Sequence, residues 1–195
     1  MSGTLPLPRR IRSGDAEFEL RLMQADDAAA ALDFAQSLAP HDLLFLQRDI
    51  RNPRVVAAWI EQIQAGSITS LLLEAERRIH GCAAIVRDTL SWSPHVGELR
   101  IVVGEAARRT GLGRLLAQEA FALALSMGVG KVIARMTPDQ RGAITVFEEL
   151  GFRAEALLRD HVRDAVGVTH DIVILSLDVA RDQAQRQAYG YDEAF

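Results

Sequence analysis

Residues Ile101 to Arg114 read IVVGEAARRTGLGR, an apolar alternating run that passes through a short basic loop directly into a helix start. Three devices for binding an anion coincide there. Gly111 and Gly113 let the backbone approach a ligand with no Cβ in the way, and the first-turn amides around Leu112 are donors without intrahelical partners. The helix end adds roughly half a positive charge, so a phosphate placed there gains hydrogen bonds and field together. Arg108, Arg109 and Arg114 bring further cationic charge to the loop. Two better-known phosphate loops fail on spacing. A dinucleotide fingerprint needs a third glycine or alanine where Leu116 stands, and a Walker loop needs Gly-Lys followed by Ser or Thr.

The elements that must hold this loop can be read from periodicity. Glu17 to Met23 alternates as a half-buried strand, and the helix opened by Asp26 and Asp27 runs to Pro40. A loop or short helix through His41, Asp42, Phe45 and Arg48 follows. Asn52 and Pro53 then open a second helix that Gly66 ends. Ile68 to Glu74 and Ile79 to Asp88 are β-rich and nearly contiguous, which predicts an antiparallel hairpin and excludes a purely parallel sheet. His95 to Val103 is the central strand, with Leu99, Ile101 and Val103 on one face. Helix Gly111 to Met127, strand Lys131 to Met136, helix Pro138 to Leu150 and two closing strands, Phe152 to Arg163 and Val168 to Asp178, complete a single mixed α/β domain. Residues 1–16 read as a flexible N-terminal tail, 17–178 as the domain, and 179–195 as a polar C-terminal tail.

Composition narrows the function. A formal net charge of -4 argues against a general nucleic-acid binder, and no run approaches the roughly 20 apolar residues that cross a membrane. Cys82 is the only cysteine, which excludes an internal disulfide, makes a cysteine-based metal site improbable and fits a cytoplasmic setting. In its strand Cys82 reads as packing rather than as a nucleophile. The opening segment carries Arg9, Arg10 and Arg12 with no apolar core behind them, so it does not read as a secretory signal. If the final turn is the two residues Ala165 and Val166, His161 and His170 face each other across the last hairpin. Nothing nearby completes a metal site, so a hydrogen-bonded pair is the expectation.

Arg108-Arg109-Thr110-Gly111-Leu112-Gly113 resembles the [Q/R]-x-x-G-x-[G/A] pyrophosphate loop of the GNAT superfamily of N-acetyltransferases. Ala143 to Phe152, AITVFEELGF, resembles that family's next helix and its Leu-Gly-Phe ending. The order of elements from about Phe18 to Asp178 is similar to the whole GNAT domain. The resemblance implies a mostly antiparallel, V-splayed sheet flanked by helices, with acetyl-CoA as co-substrate and no metal. Pantetheine would run along Ile101, Val102 and Val103, and the amides from Arg109 to Arg114 would hold the pyrophosphate. It also implies direct transfer of the acetyl group to an amine, on a small molecule or a protein, and a homodimer.

A protonated acceptor amine must lose a proton before it attacks, so a carboxylate base is expected. Glu98 resembles in position the glutamate that some GNAT enzymes use, and a salt bridge to Arg100 is the equal alternative for it. The tyrosine that often protonates the leaving sulfur is matched by Phe147, which has no proton to give. Gln140 matches an asparagine that bonds the pantetheine arm, and Arg141 could reach a cofactor phosphate. His41, Asp42 and Phe45 lie in the segment that walls the acceptor site in the family, and His161 is a further contact there. Phe147 keeps a second reading open, a non-catalytic acyl-CoA-binding sensor or partner module of the same fold.

Overall fold

The computed structural model describes residues 6–14 and 16–182. Its strands form one eight-stranded sheet in the order β1-β2-β3-β4-β5-β6-β8-β7. They are β1 (Arg9–Ser13), β2 (Ala16–Leu22), β3 (Ile68–Ala75), β4 (Arg78–Arg87), β5 (Val96–Val103), β6 (Lys131–Met136), β7 (Arg153–Arg163) and β8 (Thr169–Asp178). The helices are α1 (Ala28–Gln36), α2 (Pro53–Gln64), α3 (Leu112–Ser126) and α4 (Arg141–Glu149). The apolar periods place α1 and α2 on one face and α3 and α4 on the other. Leu72, Cys82, Val102 and Ile172 meet the first pair, whereas Leu71, Ala83, Ile85 and Leu99 meet the second.

Every neighbouring pair of strands is antiparallel except β5 and β6, which α3 links by the crossover that parallel pairing requires. That parallel ladder is short. It runs from Val96↔Lys131 to Leu99↔Ala134 and stops. On its other side β5 stays paired with β4 out to Val103, and β6 stays paired with β8 out to Met136. From Arg100 and Arg135 onward the two strands therefore diverge, each with one backbone edge open to the gap, which is the V splay.

Three expectations are corrected. The segment read as a flexible tail supplies β1, which pairs with β2 from Arg9↔Leu20 to Ser13↔Ala16 and buries Ile11. Arg9 also pairs with Glu119 of α3, and the Ser13 hydroxyl donates to the Thr110 carbonyl at 3.0 Å. Helix α4 begins at Arg141 rather than Pro138, because Thr137 to Gln140 form a turn closed by the Gln140 amide on the Thr137 carbonyl at 3.0 Å. The last hairpin closes through residues 164–168, with Asp164 Oδ1 accepting from the Val166 and Val168 amides at 3.0 and 2.9 Å. The longer loop shifts the register so that Val162, not His161, lies opposite His170. Of the predicted C-terminal tail, residues 179–182 are helical and 183–195 lie outside the described residues.

The start of α1 is fixed by an ionic knot. Arg21 of β2 donates to both oxygens of Asp27 at 2.7 and 2.8 Å and to Glu74 of β3 at 2.5 Å, while the Gln24 amide donates to Asp27 at 2.7 Å. The Arg21 guanidinium, against the opposing effect of burial, holds the Asp27 carboxyl below its usual range. A lowered folded value means stabilisation that is present above the unfolded pKa, about 3.9, and lost as pH falls through the folded value. Asp27→Asn is expected to cost about 1.5–3 kcal/mol at neutral pH. Urea denaturation at pH 7, 5 and 3 should show the gap to the unaltered protein closing only below about pH 4.

Candidate active site

The two glycines, the basic loop and the start of α3 converge where the sequence puts them. Gly111 is the N-cap of α3 with φ 85°, and Arg109 also has a positive φ of 62°, so the loop from Arg108 to Gly111 curls its amides around the helix start. A Cβ on Gly113 would lie 3.4 Å from Val103 Cγ2, which places the first turn of α3 hard against the end of β5. Thr110 Oγ1 donates to the Ala107 carbonyl at 2.7 Å and pins the curve. The three arginines differ. Arg108 is bound to Asp42 at 2.6 Å and Arg114 to Glu149 at 2.5 Å, leaving Arg109 without a side-chain partner among the described residues. Leu112 is buried beneath the loop. An anionic diphosphate suits this cradle of amides and arginines, and an extended amide arm suits the open edge of Ile101, Val102 and Val103.

The segment between α1 and α2 lies across the open end of the V. Asp42 reaches Arg108 on the β5 side, and its carbonyl accepts from Gln140 Nε2 at 3.5 Å on the β6 side. His41 Nε2 lies 2.7 Å from Asp139 Oδ2, and its ring meets that of His170 edge to face at 5.2 Å. Asp139 is held below the ordinary carboxylate range, burial opposing the shift and hydrogen bonding, that of His41 included, producing it. His170 also bonds Asp164 at 3.0 Å and so lowers the Asp164 carboxyl. Of the predicted acceptor contacts, His41 and Asp42 are therefore brought to the mouth of the splay. Phe45 is buried in the core under α1 and α2, and His161 is exposed on β7.

Glu98 and Arg100 do pair, through Arg100 Nε and Nη2 at 2.9 and 3.2 Å, but the pair is mostly buried rather than at the surface. Arg135 of β6 joins it, with Nε 3.9 Å from Glu98 Oε1 and no hydrogen-bond partner for that buried nitrogen. Sequence spacing showed the Arg100 pairing but not Arg135, which depends on the parallel register that sets Ile133 beside Glu98. Phe147 is buried against Phe152, ring centroids 5.0 Å apart, and offers the site no polar atom. Gln140 takes the N-cap of α4, its Oε1 accepting from the Thr137 amide at 3.3 Å.

On the α1 and α2 face, beside Arg100, lies a cavity of about 80 Å³. Phe34, Trp59, Cys82 and Val102 form apolar walls, and Arg48 and Arg100 are its only charged lining residues. Trp59 is fixed there by its Nε1 donating to Ser70 Oγ at 3.0 Å. Burial pushes the Cys82 thiol up to about 12, so it carries almost no thiolate at neutral pH. Among the described residues no cluster of His, Cys, Asp and Glu could hold a metal, and no helix is long and apolar enough to cross a membrane.

Residues 32–152, well over half of the 195, match the model of the acetyltransferase (GNAT) family. No curated protein matches the chain. The fold is similar to that of an N-acetyltransferase from Staphylococcus aureus, with TM-score 0.73 and 17% identity over 84% of this chain and 99% of that one. It is also similar to yncA of Salmonella typhimurium, a putative acetyltransferase solved with its cofactor acetyl-CoA, with TM-score 0.70 and 20% identity over 84% and 95%. A third likeness is to a phosphinothricin acetyltransferase of Sinorhizobium meliloti in complex with acetyl-CoA, with TM-score 0.69 and 18% identity over 81% and 86%. With the splayed strands and the curled loop that opens α3, these matches give the assignment: the chain belongs to the acetyltransferase (GNAT) family.

Proposed function

We propose that this protein transfers an acetyl group from acetyl-CoA to an amine acceptor by direct attack within a ternary complex, in the cytoplasm. The observation that carries the reading is the end of the β5–β6 ladder at Leu99 and Ala134, which opens a backbone edge immediately before the loop that caps α3. When bound, acetyl-CoA supplies an activated acetyl group: the protonated acceptor first gives one proton to a base, a C–N bond forms and the C–S bond breaks, the nitrogen gives up a second proton, and the sulfur gains one. Backbone donors on the open edge of β5 align the thioester carbonyl and stabilise the charge that develops on its oxygen. Amides from Arg109 to Arg114 hold the diphosphate, and Arg109 and Arg141, whose side chains have no partner among the described residues, meet its oxygens. A neutral, buried Cys82 supports direct transfer over an acyl-cysteine route.

Glu98 is our proposed acceptor of the amine proton, through a water, since Arg100 occupies its oxygens. Glu98→Gln is expected to lower kcat by about 100-fold or more at neutral pH, with recovery in alkaline buffer where the amine is already deprotonated. A uniform loss at all pH values, or none, would remove Glu98 from that role. Phe147 gives no proton to the leaving sulfur, and water performs that step.

The buried Phe147 and the engaged Glu98 also favour a second reading, an acyl-CoA sensor without turnover. Thermal melting and CoA release separate the two. At about 100 times its dissociation constant acetyl-CoA should stabilise by roughly 2.7 kcal/mol, a shift of roughly 5 to 10 °C for this size. Release of CoA with an amine panel supports the enzyme, a shift without release supports the sensor, and no shift rejects both.

A further inference from the structure

The charges around the splay and the cavity beside it carry information about the acceptor. On the face of β5 that packs under α1 and α2, Glu98, Arg100 and Arg135 form one cluster, two guanidiniums against one carboxylate. Arg100 spends Nε and Nη2 on Glu98, which leaves Nη1 without a partner among the described residues. Arg48, on the rim of the same cavity, is exposed and has no partner among the described residues. Arg100 and Val102, which line the cavity, both lie beyond the last β5–β6 pair, on the strand that borders the open part of the V. A polycationic amine would be repelled here, whereas an acceptor bearing a carboxylate would be held. A cavity of about 80 Å³ is about half the volume that holds benzene, a size that suits a short aliphatic group.

Resting on the acetyltransferase reading above, we propose that the acceptor is a small aliphatic amine with a carboxylate close to its nitrogen, as in a short-chain amino acid. Its aliphatic body fills the cavity, its carboxylate meets Arg48 and the free edge of Arg100, and its amine points to the splay. The surrounding positive charge also favours the neutral, attacking form of that amine.

Valine, valinamide and isobutylamine share one aliphatic body and differ at the carboxylate, so they isolate its contribution. With acetyl-CoA saturating, kcat/KM for valine should exceed that for each of the others by about tenfold or more. Valinamide has the less basic amine, so that preference cannot come from basicity. Arg48→Gln should bring the three within about threefold of one another, with melting temperature and acetyl-CoA affinity unchanged. Valinamide or isobutylamine performing as well as valine, or a preference that survives Arg48→Gln, overturns the proposal. If acetyl-CoA does not bind, the acetyltransferase reading fails by itself. If it binds without turnover, or does not bind, calorimetric titration of the three amines decides the cavity. Selective binding of valine that weakens in Arg48→Gln supports the assignment, and equal or absent binding rejects it.

Discussion

Gly113→Asp is expected to weaken acetyl-CoA binding by about 100-fold or more, close to 3 kcal/mol, while the protein stays folded. Gly113 lies in the first turn of α3, where an added Cβ meets only Val103 Cγ2 at 3.4 Å. An acidic residue in a first helical turn interacts favourably with the helix field, by about 0.3–1 kcal/mol at an exposed site. The new carboxylate nevertheless competes for the amides that would hold a diphosphate and repels it as a like charge. Gly113→Ala adds the methyl without the charge and should lose about tenfold or less. Calorimetric titration with acetyl-CoA, run beside a melting curve for each variant, gives both quantities. A folded Gly113→Asp protein with undiminished affinity would place the diphosphate elsewhere.

Phe152→Ala should have the largest effect on stability, a loss of about 3–5 kcal/mol. The ring is fully buried and sits edge to face with Phe121 of α3 at 5.7 Å and Phe147 of α4 at 5.0 Å. It follows the Gly151 turn that ends α4, and its amide donates to the Phe147 carbonyl at 3.0 Å. Both helices on that face of the sheet, α3 and α4, thus lean on one side chain. For a protein of this size the loss corresponds to a fall in melting temperature of roughly 6 to 20 °C. A fall of only 1 or 2 °C would mean that the space closes around the missing ring, contrary to the packing described.

The curled loop that opens α3 was legible because its determinants are local: two glycines, the helix start and the basic residues all lie within a few positions. What those arginines touch was not, since Asp42 and Glu149 reach Arg108 and Arg114 only through tertiary packing. The splay itself came from resemblance. Nothing in the period of Val96 to Val103 or Lys131 to Met136 says that their ladder ends after four pairs. His161 and His170 failed as a pair for a reason of register. A turn of assumed length was replaced by one that Asp164 organises, and a slip of one residue sends a strand side chain to the other face. The first strand escaped notice because RRIRS has a single apolar residue. Charges of that density are what an edge strand carries to discourage pairing with other chains. His41 and Asp42 were identified by segment, but their bonds to Asp139 and Arg108 require the fold.

The bond from Ser13 to the Thr110 carbonyl and the pairing of Arg9 with Glu119 make β1 a brace behind the loop proposed to grip the diphosphate. Whatever is attached ahead of Arg9, such as an affinity handle or a fused neighbour, pulls first on Leu7, which packs against the core, and next on that brace. Loss of coenzyme hold in a protein altered only at its front end would then reflect a slackened support, with every group that grips the ligand still in place.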